Sequence, residues 1–162
     1  MTRIRRTDRQ PYLAGLRLAG RRVVVVGGGA VVQRRLPLLL EAGAEVTVIA
    51  PDLAAGPARL AEHGRIVWER RGYRAGDLAD AWYALVATDD ARVNAAAARE
   101  AEAGRVFCVR ADDAAASSAW TPATAELDGV TIGVLAGGDP RRAVRIRDRL
   151  VALMAQLSRR AA

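Results

Sequence analysis

The stretch RVVVVGGGAVV, Arg22–Val32, governs the reading of the whole chain. Its four valines form a short β-branched run closed by glycines, suited to a strand buried in a parallel sheet. GGGAVV, Gly27–Val32, fits the pattern G-x-G-x-x-x directly after that strand and directly before a helix. In such a loop Gly27 permits the tight turn. Gly29 lets a pyrophosphate approach the backbone, where the helix N-terminus offers N–H groups and the positive end of its dipole. The third position, ordinarily Gly or Ala, is Val32, which implies a wider helix–strand approach but leaves the phosphate cradle alone. An acid is expected about 20 residues further on to hold ribose hydroxyls. Asp52, just past Pro51, answers to that, and no arginine follows it before Arg59. The expected cofactor is therefore NAD rather than NADP; the competing reading is a glycine turn with no ligand.

Outward from this loop the pattern alternates. Val31, Val32, Leu36, Leu39 and Leu40 recur at helical spacing up to Gly43, with Pro37 inside, where a kink or a shortened helix is expected. Strands are expected at Glu45–Ala50, around Arg65–Glu69, at Ala81–Thr88 and at Val106–Arg110. The helical stretch after Pro51 is weak, with Gly56 and Pro57 expected to break it. Residues 90–103 read as the clearest helix, stopped by Gly104. Alternation of this kind implies a Rossmann-like, doubly wound parallel sheet with helices on both faces. It ceases near residue 112. A small-residue loop follows, then a strand-like stretch at Val130–Leu135, the turn AGGDP and a last helix. In that helix Ala143, Ile146, Leu150, Leu153 and Leu157 form one apolar seam beside arginines. The expected division is a dinucleotide-binding domain over 1–112, beginning with a basic, flexible arm at 1–12, and a small C-terminal dimerisation and substrate segment over 113–162.

Composition removes several chemistries. The 162 residues include 25 basic ones, all arginine, so neither a Schiff-base lysine nor a P-loop lysine is available. One histidine, His63, and one cysteine, Cys108, exclude multi-histidine and cysteine-clustered metal sites and an internal disulfide; no metal site is expected. His63, in the context EHGR, reads as an exposed helix-end residue. No apolar run approaches the roughly 20 residues of a membrane span, and no secretory h-region is visible, so a cytoplasmic location is expected. The net charge of +7 resides at the two ends: residues 1–10 hold four arginines, and residues 139–162 hold seven. Such a field attracts polyanions, although a solvated arginine-rich surface accounts for it equally well.

Four stretches stand in an order that resembles a known family: LAGRRVVVVGGGAVVQRRLPLLLEAGAEVTVIAP, ATDDARVN, FCVRADD and GVTIGVLAGGDP. From about Leu13 to about Leu150 the chain is similar to the N-terminal part of siroheme synthase, the precorrin-2 dehydrogenase/sirohydrochlorin ferrochelatase family. The resemblance implies NAD bound at Gly27, Gly29, Ala30 and Val31, with Pro51 and Asp52 near the adenosine ribose. Thr88 and Asp89 would end the fourth strand at the ligand crevice. It further implies a homodimer formed through the later segment, oxidation of precorrin-2 to sirohydrochlorin, and in some members iron insertion. The catalytic aspartate falls on Asp112. The residues alone leave two readings of it open: a base whose pKa is raised in a partly dry crevice, helped by Asp113, or a pair of turn-capping aspartates.

Precorrin-2 is rich in carboxylates, and Arg141, Arg142 and Arg145 beside GGDP are the expected partners for them. Two departures from the family pattern bear on the chelatase activity more than on the dehydrogenase. Leu135 stands where a serine is often found, in a turn one residue shorter, and the helical C-terminal region is brief. The alternatives are a non-catalytic NAD-binding sensor and a nucleic-acid-binding module. Asp112 argues against the first. The lack of aromatic interleaving or a reading helix argues against the second, so neither nucleic acid nor membrane is an expected partner.

Overall fold

The computed structural model describes residues 11–161, with the backbone alone for 160 and 161. The basic arm expected at 1–12 therefore lies almost wholly outside the described residues. Within them the chain forms two compact units, 15–119 and 120–161 with residues 11–14.

The larger unit is a parallel sheet of five strands. They are β1 (Arg22–Val26), β2 (Glu45–Ile49), β3 (Val67–Glu69), β4 (Tyr83–Val86) and β5 (Phe107–Arg110), in the order β3-β2-β1-β4-β5. The helices are α1 (Ala30–Glu41), α2 (Ala55–Glu62) and α3 (Ala91–Ala103). The valine run explains itself here. Val23 and Val25 join Val32, Leu36, Val46 and Val48 in one core, on the side of α1 and α2. Val24 and Val26 join Ile49, Ala84, Val86, Ala97 and Ala101 in the other, on the side of α3. A central strand covered on both faces has no polar side to alternate with, hence RVVVV.

Two local expectations need correcting. Helix α1 is continuous from Ala30 to Glu41, so Pro37 does not shorten it. Pro37 and Gln33 both face solvent, so the Gln33 carbonyl that loses its amide partner is left to water. Helix α2 contains Gly56 and Pro57, which expectation had breaking it; both lie in its first turn, where a missing N–H costs no intrahelical bond. His63 is the exposed C-terminal cap of α2, as expected.

The larger unit extends past residue 112 because β5 is an edge strand that needs cover. Ser118 Oγ accepts from the Cys108 amide at 2.8 Å and Ser117 Oγ from that of Arg110 at 2.8 Å, while the amides of Ser118 and Ala119 return to the Cys108 carbonyl. Serine hydroxyls thus stand in for a sixth strand.

The smaller unit is a hairpin, β6 (Ala123–Leu127) and β7 (Val130–Val134), with α4 (Pro140–Ala161) packed on it. Sequence reading finds β7 and α4 but treats β6 as loop. The signal was Asp128-Gly129: both residues have positive φ, 51° and 75°, the conformation of a two-residue hairpin turn. Of the expected seam on α4, Ala143 is buried, whereas Leu150, Leu153 and Leu157 remain exposed in the single chain.

The segment after β3 is tied down by charge. Arg71 donates to Glu69 and to both Asp77 oxygens, at 2.8 and 2.7 Å. Arg71's hydrogen bonds hold the Asp77 carboxyl below its ordinary value of 3.8. A depressed folded pKa stabilises fully above the unfolded value and ceases to do so as pH falls through the folded one. Asp77→Asn should therefore lower the melting temperature at pH 7 by about 5 °C and narrow its gap to the parent in acid, as read by calorimetry between pH 7 and pH 3.

Candidate functional site

The strand order reverses between β1 and β4, and there, at the carboxyl ends of the strands, lies a cavity of about 630 Å³. Its wall comprises Gly27–Gly29 after β1, Ala50–Ala54 after β2, Gly72 and Tyr73 after β3, and Ala87–Asp90 after β4. The sequence-predicted residues Gly27, Gly29, Pro51, Asp52, Thr88 and Asp89 are thus brought together. Ala30 and Val31 form the first turn of α1.

The three glycines have different reasons. Gly27 has φ +117°, and a Cβ there would lie 2.3 Å from the Ala87 carbonyl oxygen. At Gly28, which sequence reading passed over, a Cβ would lie 2.0 Å from the Asp52 carbonyl oxygen. Both are required by the close approach of neighbouring backbone. At Gly29 a Cβ would meet nothing within 4 Å. Gly29 is the N-cap of α1, which has no side-chain cap and no acidic residue in its first turn. Its unpaired amides and dipole suit an anion. With Asp52 exposed at the rim, the residues present fit a dinucleotide: open backbone for the pyrophosphate, a carboxylate for a ribose. The absence of a nearby arginine, read from the sequence, does not survive folding, because Arg70 Nη2 stands 3.8 Å from Asp52 Oδ1.

A buried polar side chain connects this wall to Asp112. Asn94 on α3 is 1% exposed. Its Oδ1 accepts from the Thr88 amide at 3.2 Å and the Thr88 hydroxyl at 2.6 Å, and its Nδ2 donates to the Thr88 carbonyl at 2.9 Å. The bonds to the Thr88 amide and carbonyl each fit only one orientation of the carboxamide, so it cannot flip. The same side chain helps to lower the Asp112 carboxyl. Asn94 lies within ATDDARVN, where the local pattern does not mark it as a site residue.

The raised pKa expected for Asp112 is corrected. Arg110 donates to both its oxygens, at 3.1 and 2.7 Å. That pair, with help from Asn94 and against the effect of burial, holds the Asp112 carboxyl below the usual carboxylate range. Asp113 caps the turn, its Oδ1 accepting from the amides of Ala115 and Ala116, while its Oδ2 stands 3.9 Å from the Arg110 guanidinium that holds Asp112. Burial pushes the Cys108 thiol up to about 11, which leaves no thiolate at neutral pH.

Arg141, Arg142 and Arg145 belong to the other unit, exposed on the first turns of α4. Asp139 caps that helix by accepting from the Arg142 amide at 2.9 Å. Among the described residues no three His, Cys, Asp or Glu side chains are grouped to hold a metal ion, and no helix is long and apolar enough to cross a membrane.

Residues 14–123 match the NAD(P)-binding family model NAD_binding_7. The precorrin-2 dehydrogenase of Bacillus subtilis (strain 168) is 34% identical over 122 residues, which cover 75% of this chain and 74% of that protein. A siroheme synthase of Chromobacterium violaceum is 41% identical over 140 residues, covering 86% of this chain. Siroheme synthase 3 of Aeromonas hydrophila is 36% identical over 141 residues, also 86% of this chain. The chain spans only 30% of each of these two synthases. Among solved structures, SirC, a precorrin-2 dehydrogenase, superposes with a TM-score of 0.75 at 26% identity, covering 88% of this chain and 70% of that one.

The glycine geometry separates two substitutions. Gly28→Ala forces Asp52 away and should lower the melting temperature by about 5 °C or more. Gly29→Val adds a Cβ that meets nothing within 4 Å, so the fold should be retained while nicotinamide dinucleotide binding, followed by calorimetry, is lost. Normal binding by Gly29→Val would show the cradle to be misplaced.

Proposed function

The chain belongs to the family of NAD(P)-binding precorrin-2 dehydrogenases and siroheme synthases, and from that premise we propose that it oxidises precorrin-2 to sirohydrochlorin in the cytoplasm, with NAD as the dinucleotide. The observation that carries the reading is the place of Asn94: buried and hydrogen-bonded to Thr88 in the cavity wall, it also helps Arg110 to hold the Asp112 carboxyl below the usual range. In this reading the Gly29 backbone and the first-turn amides of Ala30 and Val31 receive the pyrophosphate, with Pro51 and Asp52 at the adenosine ribose and Thr88 and Asp89 along the far wall.

When bound, the nicotinamide supplies the acceptor for the hydride. Asp112 receives the proton that leaves the substrate with it. A carboxylate doubly bonded to Arg110 is a weak base, so the pair opens for Asp112 to accept a proton. A substrate lined with carboxylates offers Arg110 the alternative partner that allows this. Arg141, Arg142 and Arg145 hold other substrate carboxylates, a task suited to the planar guanidinium fork. A homodimer forms through α4, whose Leu150, Leu153 and Leu157 are 38%, 51% and 55% exposed.

The two kinds of side chain should fail differently. Asp112→Asn keeps the shape without the proton acceptor, so turnover should fall by about a hundredfold with substrate binding retained. Arg141→Ala with Arg142→Ala should raise KM for precorrin-2 and leave kcat near the parent value. Parent-rate oxidation by Asp112→Asn, followed by NADH absorbance under saturating NAD, would remove it from the mechanism.

Sedimentation at micromolar concentration should give a dimer, and Leu153→Glu with Leu157→Glu a monomer. A monomeric parent would refute the assignment of α4.

A further inference from the structure

Two consecutive arginines follow β3 and take different paths. Arg71 turns to Glu69 and Asp77, and its guanidinium is occupied by both carboxylates. Arg70 turns the other way: its guanidinium stands over the Trp68 ring, 5.3 Å from the centroid, with Nη2 3.8 Å from Asp52 Oδ1. Trp68 is itself anchored, since its Nε1 donates to the Ala50 carbonyl at 2.9 Å. Parallel pairing of β2 with β3, Ile49 opposite Glu69, brings Arg70 beside Asp52, which lines the cavity.

Alone, Asp52 would exclude a 2′-phosphate. It accepts from ribose hydroxyls, and its charge repels a phosphate ester at the same position. Arg70 changes that balance. The two side chains are 72% and 86% exposed, so water competes strongly for their pairing and a better anion displaces it. A phosphate is such an anion, with oxygens spaced for two parallel N–H bonds from one guanidinium. Glu69 does not compete, because its carboxylate is bound to Arg71.

We propose that Arg70 makes the ribose end of this cavity a site for a 2′-phosphorylated dinucleotide as well as for NAD. The proposal rests on the nicotinamide dinucleotide reading above and adds a second ligand class to it. On binding NADP the Arg70 guanidinium passes from Asp52 to the 2′-phosphate while stacked on Trp68, and the Asp52 carboxylate turns to water. On binding NAD, Asp52 accepts from the ribose hydroxyls and Arg70 remains beside it.

The test is calorimetric titration of the full chain with NAD, NADP, 5′-AMP and 2′,5′-ADP, in the parent and in Arg70→Gln and Arg70→Lys. The parent should bind NADP within about tenfold of NAD. Arg70→Gln should weaken NADP and 2′,5′-ADP by about tenfold or more, leave NAD and 5′-AMP within about twofold, and be partly rescued in Arg70→Lys. A merely structural Arg70 would shift all four ligands together, and that result overturns the proposal. So does an unchanged NAD-to-NADP ratio in Arg70→Gln, or a parent that binds NAD but takes NADP over a hundredfold more weakly. A parent that binds neither dinucleotide refutes the underlying reading, and this one with it.

Discussion

Val23, Val24, Val25 and Val26 are fully buried or within one per cent of it, two toward each layer of helices. At about 1.5–3 kcal/mol per buried side chain, this strand is where both cores are anchored. Its neighbours on either side, β2 and β4, are held in register by it. The chain leaving Val26 has one way out, between the ends of β2 and β4. The Gly27 amide donates to the Ile49 carbonyl there, and the Ala87 amide to the Val26 carbonyl. No side chain fits at Gly27 or Gly28 in that gap, because the carbonyls of Ala87 and Asp52 occupy it. The cavity mouth is thus a consequence of burying β1, and Gly29 begins the first helical turn facing it.

Arginine serves two purposes in this chain, and its lack of lysine makes the contrast legible. Arg22 reaches the carbonyls of Ala79 and Asp77, Arg71 joins Glu69 to Asp77, and Arg147 reaches the Thr124 carbonyl. These side chains hold loops by several donors at fixed angles, which an ammonium cannot do as well. Arg141, Arg142 and Arg145 are exposed on α4 instead. Arg110 belongs to neither group alone: it orients Asp112 and at the same time lowers its basicity. A partly dry crevice was expected to raise that carboxyl, but a guanidinium bonded to both oxygens outweighs desolvation.

What the sequence determined by itself follows from period and burial. RVVVV, EVTVI and the Ala-rich helix after Asp90 have one stable arrangement, a parallel sheet covered on both faces, and their bounds agree with expectation to within a residue or two. The glycine loop and Asp52 were readable because they lie directly at strand ends. β6 was not: ATAEL is short and only half buried, and it becomes a strand by pairing with β7 across Asp128-Gly129. Arg70 at Asp52, Asn94 between Thr88 and Asp112, and the serines along β5 were decided only by the tertiary structure. Each joins residues 6 to 18 positions apart in the chain. Local pattern carries no record of such pairs; they exist because parallel strands bring distant ends to one rim and because a buried amide takes whatever partners the packing provides.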